Sequence, residues 1–321
     1  MSQTQEQIAF VAQTLLTASS DRTRSLQGTI VDGLIRGTVA FVDDKSGLYK
    51  YEPADTNAAV TDKVVKAAGP GNWTIVEGVD PIEVRCLADL PAPVATVITL
   101  LGNQAYRFVG TVDIGVNRIV AQAGTTIEGG GHASITGNNN TTSLITGPTG
   151  ASWTLAGIGI VNAGGSALRW IAGDNDETLW LHDCWFAGVG DAVTLFGDGT
   201  ADTPRINIYD CKFYGTAQDL QIDRKWGAVS IVGCQFLGTG NGLQIISGVA
   251  ADIATMLING CEFSCEGGGG DYGVLQVTAD AVAIGRLVGC NFHGTNVANA
   301  KSAFVATTEW QARGNVNVAD F

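Results

Sequence analysis

The tripeptide pattern Cys-x-Phe, which occurs five times, constrains this chain more than any other feature. It stands at Cys184-Trp-Phe186, Cys211-Lys-Phe213, Cys234-Gln-Phe236, Cys261-Glu-Phe263 and Cys290-Asn-Phe292. In four of the five a glycine follows two residues after the phenylalanine, at Gly188, Gly215, Gly238 and Gly294. Successive cysteines are 27, 23, 27 and 29 residues apart. Toward the N-terminus, Leu155-Ala-Gly-Ile158-Gly-Ile160-Val-Asn aligns with Leu181-His-Asp-Cys184-Trp-Phe186-Ala-Gly. Ile158 and Ile160 therefore take the cysteine and phenylalanine places one repeat earlier. Ile127 is the expected equivalent of Ile158 another repeat back.

Each repeat contains about three short strand-like pieces. After Cys211 these are Cys211–Phe213, Leu220–Ile222 and Val229–Ile231, and the following repeats show the same rhythm. Apolar residues at i and i+2 share one face of a strand, so Cys and Phe point inward and the residue between them points out. Repeats of this length are too short for paired helices but suit a coil of three parallel strands with turns at its corners. Stacked coils lie about 4.8 Å apart, so equivalent side chains form ladders. The reading is an all-β chain whose main body is a right-handed parallel β-helix. Cysteines in one ladder run parallel to each other, which disfavours disulfides, and a ladder does not converge on a metal. They act as small buried hydrophobes. Cys86 and Cys265 lie outside the pattern, Cys265 as a loop thiol.

The composition agrees. Gly accounts for 43 of 321 residues, as a fold with many tight corners requires. The formal net charge of −13 argues against nucleic acid and against an anionic membrane surface. No basic-then-apolar leader is visible after Met1, and no apolar run is long enough to cross a bilayer, so the reading places synthesis in a cytosol. No cofactor is implied.

Three segments are expected. Residues 1–20 read as a docking arm, with a short helix from Thr4 to Leu16 carrying Ile8, Val11 and Leu15 on one stripe. A stripe of this length needs a partner to be stable. Residues 21–92 read as a small β-rich attachment module, with strands near Gly28–Asp32, Gly37–Val42, Leu48–Tyr51 and Trp73–Val76, and a lead-in from Pro81 to Pro93. Residues 93–321 read as the β-helix. The strand-like pattern runs on to Phe321, and an open end of a stack calls for a cap, so a partner subunit is expected there.

The Cys-x-Phe-x-Gly coils resemble those of β-helical virion proteins of tailed bacteriophages. So do the lead-in Asp89-Leu-Pro-Ala-Pro, Tyr106-Arg-Phe-Val-Gly-Thr-Val-Asp-Ile-Gly and Gly124-Thr-Thr-Ile-Glu-Gly, and the stretch Ser46-Gly-Leu-Tyr-Lys-Tyr51. The resemblance covers roughly residues 85 to 321. It implies a homotrimer made in the host cytoplasm and built into the virion. Its N-terminal region would bind other virion proteins, while the β-helices project as a tail fibre, tailspike or capsid decoration.

A β-helix can also cleave glycans, which takes two carboxyl groups about 5 Å apart for retention or 6.5–9.5 Å for inversion. The outward positions inside Cys-x-Phe are Trp185, Lys212, Gln235, Glu262 and Asn291, with a single carboxylate. Asp183 and Asp210 precede their cysteines in adjacent coils and are the candidate catalytic pair, with Trp185 as a sugar platform. The competing reading is a pair of ordinary corner aspartates. The pectinase-type pattern of an Asp pair with Gly-His-Gly is absent. His132 after Gly129-Gly-Gly131 reads as a turn, His182 as a strand residue and His293 as a corner. No metal cluster or Ser-His-Asp set can be assembled. Asp223-Arg-Lys225 reads as a solvated corner, Gly267–Gly270 as a turn, and Asn138–Thr142 as a polar corner loop that could touch sugar. The leading function is therefore a non-enzymatic structural protein of a phage particle. A receptor-binding polysaccharide depolymerase and a carbohydrate-binding module without catalysis are the alternatives.

Overall fold

The computed structural model describes residues 81–317 except short segments, chiefly at corners (131, 141, 174–176, 198–203, 247–251, 265, 267–271, 278–280, 295–301 and 305–309). Before residue 81 it describes the backbone of four strands. The expected N-terminal helix with Ile8, Val11 and Leu15, the strand near residues 28–32, Cys265, the glycines at 267–270 and residues 318–321 lie outside the described residues.

The chain divides into two units, Met1–Pro81 and Ile82–Phe321. In the first, Val39–Val42, Gly47–Glu52, Asn72–Ile75 and Val64–Lys66 pair in that order as an antiparallel sheet. Short strands broken by Asp, Gly and Pro turns account for it.

The second unit is a parallel β-helix with three faces: a broad sheet of 10 strands, a phenylalanine sheet of 8 and a third sheet of 9. Ile82–Val84 supplies the first strand of the broad sheet, in register with Tyr106–Phe108. One coil runs Arg205–Tyr209 on the broad sheet, Lys212–Gly215 on the phenylalanine sheet and Gln218–Asp223 on the third. The next coil repeats this with Trp226–Val232, Gln235–Phe236 and Asn241–Ile246, each parallel to its predecessor.

The interior is a set of columns. On the phenylalanine sheet, Val112, Ile135 and Ile160 lead in register to Phe186, Phe213, Phe236, Phe263 and Phe292. The five rings stack with centroid separations of 5.5, 5.0, 4.6 and 4.7 Å and interplanar angles of at most 19°. The strand spacing of about 4.8 Å sets this stacking distance. Leu181, Ile208, Ile231, Ile258 and Leu287 form the facing column of the broad sheet, and Leu168, Val193, Leu220, Leu243 and Val274 that of the third.

Beside the rings run Ile158, Cys184, Cys211, Cys234, Cys261 and Cys290, all buried, with every described cysteine unpaired. Each thiol in the column donates to the carbonyl two residues before it, as Cys211 Sγ does to Tyr209 O at 3.2 Å. Burial, reinforced by the thiols of Cys184 and Cys234, pushes the Cys211 thiol well above its ordinary value. These buried sulfurs act as packing groups.

The sequence expectation for Ile127 is corrected. It pairs with Leu155 on the broad sheet, whereas Ser134 pairs with Gly159, so Ala133 holds the place equivalent to Ile158. The corner between residues 129 and 134 is longer than later ones, so a constant repeat length carried back from Ile158 lands on the wrong face.

The glycine that ends each Cys-x-Phe-x-Gly run has a spatial cause. A Cβ on Gly215 would lie 1.9 Å from the Gln218 carbonyl oxygen, and one on Gly238 would lie 2.0 Å from Asp219 Oδ1. Asp219 fills the space the two glycines leave. Its buried carboxylate accepts from Gly215 N at 2.5 Å and Gly238 N at 3.0 Å, clamping two coils. Burial outweighs these two donors and raises its pKa from 3.8 to about 7.

Folded Asp219 thus holds its proton more tightly than the unfolded chain does. Its contribution is most favourable below pH 4 and is lost as pH rises from about 4 to about 7, by on the order of 4 kcal/mol at most. The difference in denaturation midpoint between wild type and Asp219→Asn should shrink across that interval. A difference that is constant with pH would refute the assignment.

Candidate functional site

Each coil turns from the broad sheet into the phenylalanine sheet at a residue in the left-handed region, two places before the outward residue of the next strand. Gly157, Asp183, Asp210, Gly233, Gly260, Gly289 and Gly314 hold this place, with φ between 52° and 67°. Glycine adopts that conformation without steric cost, and aspartate is among the few side chains that tolerate it. The corner keeps its inter-coil bonds: Gly157, Asp183 and Asp210 donate to the carbonyls of His182, Tyr209 and Val232 at 2.9–3.0 Å. Aspartate occurs only at two adjacent members of this column, so its two carboxyl groups project side by side into solvent.

Register puts Asp183 and Asp210 one strand spacing apart, about 4.8 Å along the axis. His132 stands in the longer corner before Ser134, without the left-handed φ of the column, and lines the same groove. Asp210 leans onward over its other neighbour, since a Cβ on Gly233 would meet its Oδ1 at 2.4 Å. Together His132, Gly157, Asp183 and Asp210 line a groove of about 780 Å³ with Trp185, Lys212 and Tyr214.

Trp185 forms the floor of one wall. It pairs with Gly159 in the coil below, and a Cβ there would lie 2.1 Å from the indole Cε2. Gly159 therefore lets the indole lie flat on the sheet with one face to solvent. Trp185 is 37% exposed and Tyr214 39%. Around the corner, on the outer face of the broad sheet, Trp180 is 44% exposed and stacks on Tyr209 at 6.0 Å. Among the described residues, the exposed large aromatics are Trp180, Trp185 and Tyr214, all in two adjacent coils. Flat, wet aromatic faces beside carboxylates are the equipment for holding a sugar ring. Strand register sets the two corner backbones about 4.8 Å apart, but the Asp210 carboxylate leans toward Gly233 and away from Asp183.

The other sequence candidates lie elsewhere. His182 is exposed on the broad sheet, in register with Tyr209. His293 Nε2 lies 2.9 Å from Glu262 Oε1 without hydrogen-bond geometry, and Glu262 Oε2 accepts from Gln235 Nε2 at 2.7 Å. Asp223-Arg-Lys225 is the corner between the third and broad sheets, with Arg224 at φ 66°. Asn140 and Thr142 line a second groove on the far side of the phenylalanine sheet. Among the described residues no three His, Cys, Asp or Glu side chains are placed to hold a metal, and no helix is long and apolar enough to cross a membrane.

Reading the sequence alone left His132, Lys212 and Tyr214 out of the groove. The signal for His132 was available, because it lies two places before the outward Ser134, as Asp183 does before Trp185. Using it required the correct register for the long corner.

No protein-family model and no curated protein matches the chain. Among solved structures it is similar to the tailspike protein gp49 of Acinetobacter baumannii bacteriophage Fri1, described as a capsular polysaccharide depolymerase. The two are 10% identical over 88% of this chain and 72% of that one, with a TM-score of 0.38. That likeness assigns no activity and no residue role here.

Gly159→Ala should lift Trp185 from the sheet while leaving the interior columns intact. Acrylamide quenching of tryptophan fluorescence should rise, and the increment should vanish in the Trp185→Phe background. Unchanged quenching would show that Gly159 does not seat the indole.

Proposed function

We propose that this chain is a structural component of a tailed-phage particle, a β-helix that projects from the virion and meets surface glycan along the Asp183–Asp210 groove without cutting it. The supporting observation is the concentration of exposed aromatics on one groove of an otherwise continuous, densely laddered stack. Interior columns give the stack rigidity, and Trp185 and Tyr214 give the glycan a surface on which to lie. In this reading residues 1–20, through Ile8, Val11 and Leu15, dock on other virion proteins; of the expected module 21–92, residues 21–81 form the attachment unit, since Ile82–Val84 belongs to the β-helix; and three copies assemble.

A second reading is a depolymerase. The arrangement that favours it is His132, Asp183 and Asp210 lining one groove, which supplies two carboxyl groups and an imidazole. The exposed position of both aspartates, at corners where glycine serves equally well, favours the non-catalytic reading.

Capsular polysaccharide or lipopolysaccharide of susceptible bacteria, incubated with the purified protein, should be bound with no new reducing ends. New reducing ends that disappear in the Asp183→Asn, Asp210→Asn double variant would establish the depolymerase instead. Light scattering should give the mass of three chains, and a stable monomer would remove the trimer from the proposal.

A further inference from the structure

We propose that the corner between the phenylalanine sheet and the third sheet is a second ligand site, and that it takes a carboxylate-bearing saccharide unit on Arg169. Here the coils leave a groove of about 480 Å³, lined among others by Asn140, Ser143, Ser166, Asp191 and Gln221. Hydroxyl, amide and carboxyl groups make up more than half of its lining, and they can both donate to and accept from a polyol. Arg169 is the one Lys or Arg in this lining. It stands on the outer face of the third sheet, in register with Thr146 and Thr194.

The state of the guanidinium indicates the ligand. Its Cζ lies 4.8 Å from the centroid of the Phe196 ring, so one face is packed against an aromatic. Its Nε is buried and has no hydrogen-bond partner. A buried donor left unpaired is costly, and more so on a charged group. The guanidinium fork matches a carboxylate in two parallel hydrogen bonds, so a carboxylate entering the groove would satisfy Nε and a terminal nitrogen together.

Two further features are consistent with this assignment. The chain carries a formal charge of −13, so an anionic ligand is repelled at long range and needs a local cation to be held. Asp191, the acid in the groove, accepts from Thr194 Oγ1 at 3.4 Å, and burial pushes its carboxyl above the ordinary range. Its carboxylate is engaged with the Thr194 hydroxyl rather than with Arg169. The site is distinct from the Asp183–Asp210 groove, which lies at the other edge of the phenylalanine sheet, and it needs no catalysis there.

Titration calorimetry with tetrasaccharides of galacturonic and of glucuronic acid tests the assignment, with their carboxyl-reduced forms as neutral controls. At least one acidic probe should bind, with its reduced form at least tenfold weaker. Arg169→Gln should lower affinity for the acidic probe to that of the neutral one, and Arg169→Lys, which keeps charge without the fork, should fall between. The triple variant Asp183→Asn, Asp210→Asn, Trp185→Ala should bind the acidic probe as wild type does. The proposal is overturned if neither acidic probe binds or if acidic and neutral forms bind equally. Undiminished affinity in Arg169→Lys, or in an Arg169→Gln protein shown by its melting temperature to be folded, would also overturn it. So would loss of binding in the triple variant, which would place the ligand in the other groove.

Discussion

Register between successive coils governs everything else in the β-helix. Parallel hydrogen-bonded ladders hold each coil one strand spacing above the last, and a slip of one residue would turn every inward side chain to solvent. The phenylalanine stack enforces the correct register. Phe186, Phe213, Phe236, Phe263 and Phe292 can lie ring on ring only when every outward partner is also aligned, so Trp185, Lys212, Gln235, Glu262 and Asn291 form a row as a direct consequence. The core thus determines the exterior, although no exterior residue touches it.

Corners are where this constraint relaxes. A strand residue must fit neighbours above and below, whereas a corner residue must mainly adopt a suitable φ. Of the described left-handed corner residues leading into the phenylalanine sheet, all are glycine except Asp183 and Asp210. The groove therefore exists at little structural cost, since carboxylates replace hydrogens at places where the backbone already bends. The opposite corner works differently. There the tight approach of Gly215 and Gly238 leaves room for a buried carboxylate, Asp219, and the fold itself becomes sensitive to protonation.

The strands were legible because their signal is local: apolar residues at i and i+2, spaced by turns, with Cys-x-Phe marking the same place in five coils. The fold class follows from that pattern. The adjacent placement of Asp183 and Asp210 follows too, because their coils are close to the mean length. His132 was read as a turn and does stand in a bend; its place in the groove escaped notice because the corner before Ser134 is longer, and Ile127 was assigned to the wrong face for the same reason. Arg169 carried no sequence signal, as it stands on a strand without a motif. Its interest comes from Phe196, which is 27 residues away and becomes its neighbour through the pairing of two strands in the third sheet.

The thiol column has a consequence for how the fold meets a change of redox conditions. Five sulfurs in a row might be expected to couple to one another or to other chains when a protein leaves a reducing compartment for aerated medium. Here each is buried behind the sheet and donates to a carbonyl of its own coil, so oxidants in the medium meet none of them. The column can therefore pass from one redox regime to the other without a change in covalent structure, and it relies on no oxidative folding machinery in either.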